Sequence, residues 1–204
     1  MLEYLEHPQV LADLYWMGSD NLRGVPQSEE PDNQQERLIT VGWVIGCVDG
    51  EGCFSIGFTR QPDRAHRKGY RTGYQVNHDF VVPQGARSLK ALRGLQTFFG
   101  VGRVYKNTRH DNHREDMHAY TVHRRSELMD VIIPFFRQHE LRTSKRSDFE
   151  KFAICLELIA ANRHLTREGL AEIAEIAQTM NREVPRHEMI RILRDHTSDT
   201  RQGE

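Results

Sequence analysis

Cysteine is scarce. The 204 residues hold three, Cys47, Cys53 and Cys155, with no CxxC pair and no Cys/His spacing suited to zinc. That excludes a disulfide scaffold and a zinc ribbon, and it fits a reduced, intracellular setting. No apolar run approaches the roughly 20 residues a membrane span needs. The opening MLEYLEHPQV lacks the basic-then-apolar pattern of a secretory leader. A soluble chain with no membrane partner is therefore expected. Net charge is also nearly absent, at −1, which at first argues against a nucleic-acid partner.

The distribution of charge argues the other way. Residues 1–52 hold 2 Lys/Arg against 10 Asp/Glu, whereas residues 53–125 hold 14 against 5 and six histidines besides. Residues 126–204 hold 12 against 14. Positive charge confined to one continuous third of a chain is a candidate phosphate-facing surface, because counterion release rewards clustered Lys and Arg. Taken alone, the same charge could be a solvated face with no partner.

Residues 1–22 read as a short amphipathic helix with Leu5, Val10, Leu11, Leu14 and Tyr15 on one side, and the polar, Pro-containing stretch 24–36 as a linker. The segment RLITVGWVIGCVDGEG that follows is apolar on all sides until Asp49, so a buried helix is expected. Gly42, Gly46 and Gly50 recur every fourth residue within it. A helical glycine costs about 1 kcal/mol relative to alanine, so three on one face point to a second helix approaching at backbone distance, the logic of helix pairs in membranes. CFSIGFTR then alternates as a strand, QPDRAHRKG is a basic loop, and GYQVNHDFVV is a second strand. SLKALRGLQTFFG is a helix ended by Gly100, VGRVYKN and MHAYTVHR are two more strands, and helices follow over SELMDVIIPFFRQ, 144–161 and 166–181. Ser126 is the expected N-cap of the first of these, and Pro134 should kink or shorten it. Residues 182–204 read as a polar tail. The order αββαββα implies an α+β fold, with one antiparallel sheet carrying helices on one face and leaving the other open. A basic sheet of that kind can lie along a DNA groove.

Val44-Ile-Gly-Cys-Val-Asp-Gly-Glu-Gly52 resembles the LAGLIDADG motif, with Asp49 and Glu51 at its two acidic positions. Phe80-Val-Val-Pro-Gln84 resembles the F-x-V-x-Q that family carries at the end of its second strand, FFGVGRVY its FGVG turn, and IIPFFRQHELRTSKRSDFEKF its PFF…K…DF segment. The resemblance spans about residues 38–180 and is nearest to single-motif homing endonucleases encoded in ribosomal-RNA-gene introns. Ile45 stands where the family has a small alanine, Glu51 where aspartate is commoner, and residues 1–36 have no counterpart. The resemblance implies an antiparallel saddle-shaped sheet for double-stranded DNA and an endonuclease domain over 37–181. It also implies a homodimer, because two motif helices must pack together. The interface would use Gly42, Trp43, Gly46, Cys47 and Gly50.

Phosphodiester hydrolysis needs an activated water and stabilised charge on the attacking and leaving oxygens, which two hard divalent ions supply. Glu51 is the expected metal ligand, with the Gly50 carbonyl as a second, because a helix C-terminus leaves carbonyls free. The ion would be Mg²⁺ or Mn²⁺, with Ca²⁺ able to occupy the site without supporting cleavage. Asp49 reads as structural. Gln84 would position the attacking water, and Lys145 would stabilise developing charge, with Arg142 its rival. For DNA recognition, alternation groups Ser55, Thr59 and Gln61 on the first strand, Gln75, Asn77 and Asp79 on the second, Arg103, Tyr105 and Asn107 on the third, and His118 and Tyr120 on the fourth. Arg60, Arg64, Arg67, Lys68 and Arg71 would add phosphate contacts. The rival readings are an RNA maturase of the same fold, a DNA-binding protein with an inactive site, and a protein–protein adaptor; the last leaves the glycine spacing and the Gly-Glu-Gly helix end unexplained.

Overall fold

The computed structural model describes residues 30–61, 68–107, 116–181 and 185–194. The helix read in residues 1–22, and Arg64 and Arg67 of the basic loop, lie outside them. Contacts divide the chain after Arg37, and the unit Leu38–Glu204 holds the sheet and the helices packed on it.

Helix α1 (Glu30–Glu51) feeds directly into strand β1 (Cys53–Arg60). It begins inside the stretch read as linker, so residues 30–36 are helical. Strand β2 (Tyr74–Gly85) is followed by helix α2 (Leu89–Phe99), strand β3 (Arg103–Asn107) and strand β4 (Met117–Val122). The four strands form one antiparallel sheet in the order β1-β2-β4-β3. The next helix, α3, is a composite: a first turn Arg125–Glu127, a wider π-helical segment Leu128–Ile132, and Ile133–Gln138. Pro134 accounts for the wide turn, since it has no N–H and its ring crowds the carbonyl four residues back. Ser126 is not the cap that was expected. It lies within the first turn, Arg124 holds the N-cap position, and no side chain caps it. Helices α4 (Lys145–Ala160) and α5 (Arg167–Gln178) follow, the latter capped by Thr166, whose hydroxyl accepts from the Gly169 N–H.

The supposed polar tail contains helix α6 (His187–Arg194). Its Leu193 is buried against Leu170 and Ala171 of α5, and Arg186 just before it donates to the Ile56 carbonyl at 2.8 Å. A few apolar side chains sufficed to dock a segment whose charges hid it in the sequence.

Register fixes the two faces of the sheet. The pairs Phe54↔Phe80, Ile56↔His78, Phe80↔Val122 and Val82↔Tyr120 turn even-numbered residues toward the helices. There Phe54 stacks on Phe80 (4.9 Å) and meets Phe136 and Phe149 edge-on. Phe80, Tyr120, Leu92, Phe136 and Phe152 complete this core. Helix α1 contributes Val44 and Val48, both fully buried. It is not buried on all sides as expected: Gly42, Gly46 and Gly50 leave one face without side chains, and Leu38, Ile39 and Trp43 are exposed.

Candidate active site and nucleic-acid face

The site is built where α1 ends. The helix stops at Glu51 because Gly52 turns the chain sharply under its last turn, with its N–H donating to the Val48 carbonyl at 2.8 Å. A Cβ on Gly52 would lie 2.6 Å from Val48 Cγ1 and 2.7 Å from the Val48 oxygen, so no other residue fits. Glu51 is thus held at a fixed height above the first strand, with its side chain exposed.

The segment before α4 comes to meet it. Lys145 Nζ donates to the Gly50 carbonyl at 2.8 Å. Asp49 accepts from the Arg142 N–H (2.8 Å), the Thr143 N–H (3.1 Å) and the Thr143 hydroxyl (2.8 Å). Burial acts to raise the Asp49 pKa, but these bonds and the Lys145 charge outweigh it and hold the carboxyl below its ordinary value. Burial pushes the Cys47 thiol up, with Glu51 adding and Lys145 opposing, so both charges act on the Cys47 side of the helix end. Arg142 contributes its backbone N–H to Asp49, and among the described residues Lys145 is the cationic side chain that reaches the Gly50 carbonyl. Gln84 sits on β2 opposite His118, three residues past the Cys53↔Val81 pair. Glu51 lies two residues before the same pair, so both are at one end of the sheet.

Glu51 and the Gly50 carbonyl are hard oxygen donors, which suits Mg²⁺ in preference to a soft metal. Among the described residues no group of three or more His, Cys, Asp or Glu gathers to hold an ion. Glu51 and the Gly50 carbonyl could hold at most part of a coordination shell, with phosphate oxygens and waters left to complete it. A Cβ at Gly42, Gly46 or Gly50 would meet nothing within 4 Å among the described residues. No described residue covers the glycine face. Trp43 leans its ring over Gly94 of α2 and stays 43% exposed, while Cys47 is half-buried.

The sheet's free face carries the odd-numbered residues. Ser55, Thr59, Gln75, Asn77, Asp79, Arg103, Tyr105 and Asn107 share it, as the alternation predicted. It is partly pre-ordered. Asn77 donates to the Thr59 hydroxyl at 2.7 Å, Gln61 to Gln75 at 3.3 Å, and Ser55 to the Asp79 carbonyl at 3.4 Å. His123 bridges Asp79 (3.4 Å) and the Tyr105 hydroxyl (3.3 Å). Sequence reasoning does not single out His123, although the alternation of β4 counted from Thr121 leads to it.

The fourth strand departs from expectation. Tyr120 is fully buried, donates its hydroxyl to the Val101 carbonyl (2.9 Å), and faces the core with Val122. His118 shares that side, opposite Gln84 and Lys106. The residues of β4 on the free face are Met117, Ala119 and Thr121. The expected register is off by one residue, and a one-residue slip exchanges every side chain between faces. Arg60, at the end of β1 opposite Tyr74, is exposed on the helix side by the same alternation, and Lys68 is exposed. Arg71 lines a cavity of about 200 Å³ with His78, Arg125 and His164.

The LAGLIDADG endonuclease family matches residues 44–156. The solved homing endonuclease I-TnaI is similar, at 38% identity and TM-score 0.62, with 75% of this chain and 94% of that chain covered. I-SmaMI, solved bound to uncleaved DNA with calcium ions, is 29% identical at TM-score 0.62, with 72% of this chain and 46% of that chain covered. A probable intron-encoded endonuclease 2 of Neurospora crassa is 29% identical over 140 residues, 68% of this chain and 26% of its own length. A protein encoded in ND4 intron 1 of Podospora anserina is 32% identical over 127 residues, 61% of this chain and 25% of its own length. The chain thus spans about a quarter of the length of these two relatives. Its antiparallel sheet with helices on one face is the homing-endonuclease architecture. With the motif ending helix α1 and the family match covering more than half of its residues, the chain belongs to the LAGLIDADG endonuclease family.

Proposed function

We propose that this chain is a site-specific endonuclease that hydrolyses both strands of a long, pseudo-palindromic DNA site as a homodimer, using divalent metal. The observation that carries the reading is an exposed Glu51 beside Lys145, at the end of a helix whose glycine face meets nothing among the described residues of its own chain. Two copies packed through Gly42, Gly46 and Gly50 would bring two Glu51 carboxylates together beside opposite strands of a duplex. Solved relatives named as bound to DNA lend support, as do relatives named as intron-encoded endonucleases. One similar protein is named for an ND4 intron, so a ribosomal-RNA-gene host stands on the sequence resemblance alone.

Glu51 would hold Mg²⁺ or Mn²⁺, which when bound polarises the scissile phosphate and acidifies a water; the Gly50 carbonyl would join it as a ligand once Lys145, which donates to it at 2.8 Å, turns to the phosphate. Lys145 brings positive charge to the same helix end and stabilises the oxygen that gains charge as the P–O bond breaks. Gln84, an amide that both donates and accepts, orients the attacking water. The polar side chains of the free sheet face read base edges, with amides suited to adenine and Arg103 to guanine.

The test is a selection of cleaved sites from a random DNA library with Mg²⁺, using the wild type and Glu51→Gln. Dyad-related sites cut by the wild type, and at least about a 100-fold slower rate for the variant with DNA binding retained, support the reading; that factor is the scale of losing several kcal/mol of charge stabilisation. Selected sites without dyad symmetry would contradict the homodimer. RNA binding without cutting would move the assignment to a maturase, and DNA binding without cutting to an inactive binding protein.

A further inference from the structure

The two acids of the motif make different contacts. Glu51 is exposed at the helix end, whereas Asp49 accepts three bonds from the segment just before α4, two at Oδ1 and one at Oδ2. The Thr143 hydroxyl, which donates to Asp49, lies 3.3 Å from the Lys145 N–H and accepts from it. Lys145 then reaches across to the carbonyl of Gly50, the residue next to Asp49. The contacts close a ring: Asp49 to Thr143, Thr143 to Lys145, Lys145 to Gly50, and back along the chain to Asp49.

We propose that Asp49 is a positioning residue that pins the 142–145 segment to the end of α1 and so aims the Lys145 ammonium at the site, and that it is not a metal ligand. Ser144 supplies no side-chain cap to α4; the first N–H of that helix, that of Lys145, is taken instead by the Thr143 hydroxyl, which Asp49 holds in turn. Three bonds to Asp49 tie the segment before that helix to α1, and the Lys145 bond to the Gly50 carbonyl adds a fourth. The Lys145 side chain is long and rotamer-rich, so its head group is placed only if its backbone is placed. Two backbone N–H bonds and one hydroxyl bond to a single carboxylate supply that constraint, and charge-assisted bonds are the stronger kind. A carboxylate already accepting three donors has little capacity left for an ion, while its neighbour two residues on is free to bind one.

The proposal rests on the nuclease reading for its consequence, but not for its geometry, and the experiment separates the two. Asp49→Ala, Thr143→Val, Lys145→Met and the double variant Asp49→Ala/Lys145→Met are compared with the wild type. Amide hydrogen exchange at Arg142 and Thr143 is read alongside single-turnover cleavage and its dependence on Mg²⁺ concentration. Asp49→Ala is expected to expose both amides to exchange and to slow cleavage about 100-fold, the scale of an ångström's misplacement of a reacting group. Its Mg²⁺ midpoint should match the wild type, and the double variant should be no slower than Lys145→Met, because residues acting as a unit are not additive. Thr143→Val keeps the shape of the segment and should show a smaller loss in the same direction. A shifted Mg²⁺ midpoint in Asp49→Ala, a double variant slower by the product of the two single losses, or amides that stay protected without Asp49 would each overturn the proposal. Should the wild type cut no DNA, the nuclease reading fails, and amide exchange alone decides whether Asp49 holds the segment.

Discussion

The two faces of the sheet obey different rules. On the helix side, Phe54, Phe80, Tyr120 and Val122 interlock with Phe136 and Phe149, and the buried Tyr120 hydroxyl is tied to the Val101 carbonyl. On the free side, reached through the same backbone, Asn77, Thr59, Gln75 and Tyr105 bond laterally to neighbouring strands or to His123. One face derives its energy from area removed from water, so it tolerates few changes. The other keeps its donors and acceptors at the surface, where they can be exchanged for those of a ligand at little cost to the fold. Stability and, on the proposed reading, recognition are thereby assigned to alternate residues of the same strands.

The contrast breaks most visibly at Phe54. Its ring contacts four aromatic rings, so Phe54→Ala should cost about 3–5 kcal/mol, read by urea denaturation. A loss under about 1 kcal/mol would mean that the core does not pack as described. On the opposite face, Asn77→Ala should change stability by no more than about 0.5 kcal/mol. It should cost about 1–3 kcal/mol of discrimination at one base position, read by comparing target variants. Equal weakening on all sequences would demote Asn77 to a backbone contact. The smallest effect concerns His78 and His164. Burial holds both imidazoles below their ordinary 6.5. For His78, Arg125, His164 and His123 act in the same direction and Asp79 opposes them; for His164, Arg125 adds and a backbone hydrogen bond at Ile159 opposes. Among the described residues their Nδ1 atoms are buried without a hydrogen-bond partner. A depressed folded-state value means that the unfolded chain takes up the proton first. Stability should therefore be flat above about pH 6.5 and decline as pH falls below it. His78→Gln should make the decline shallower; an unchanged slope would place the titration elsewhere.

The alternation of β1 and β2 is readable because each has hydrophobic residues at every second position over part of its length (Phe54, Ile56, Phe58; Val76, Phe80, Val82), so Ser55 and Asn77 fall on the free face from the chain alone, while in β3 Val104 between Arg103 and Tyr105 is the one cue. The fourth strand is different. Its Met117, Ala119 and Thr121 are no more polar than its His118 and Tyr120, so the pattern points to the wrong face until pairing with β2 fixes it. Helix α6 is hidden for a related reason, since its few apolar residues are diluted by charge. Glu51, Gly52 and the glycine spacing are legible because helix periodicity and the steric limits on glycine are local rules.

The end of helix α1 is written in its own residues: which one carries the carboxylate, which glycine must follow it, and which helix face has no side chains. These follow from backbone sterics over a few neighbouring residues. It takes the packed chain to show that Asp49 accepts from the segment before α4, that Lys145 reaches the Gly50 carbonyl while Arg142 gives its N–H to Asp49, and that Tyr120 belongs to the core. Those outcomes depend on contacts between positions some 20 to 95 residues apart along the chain, and no local pattern records which distant donor a carboxylate will meet.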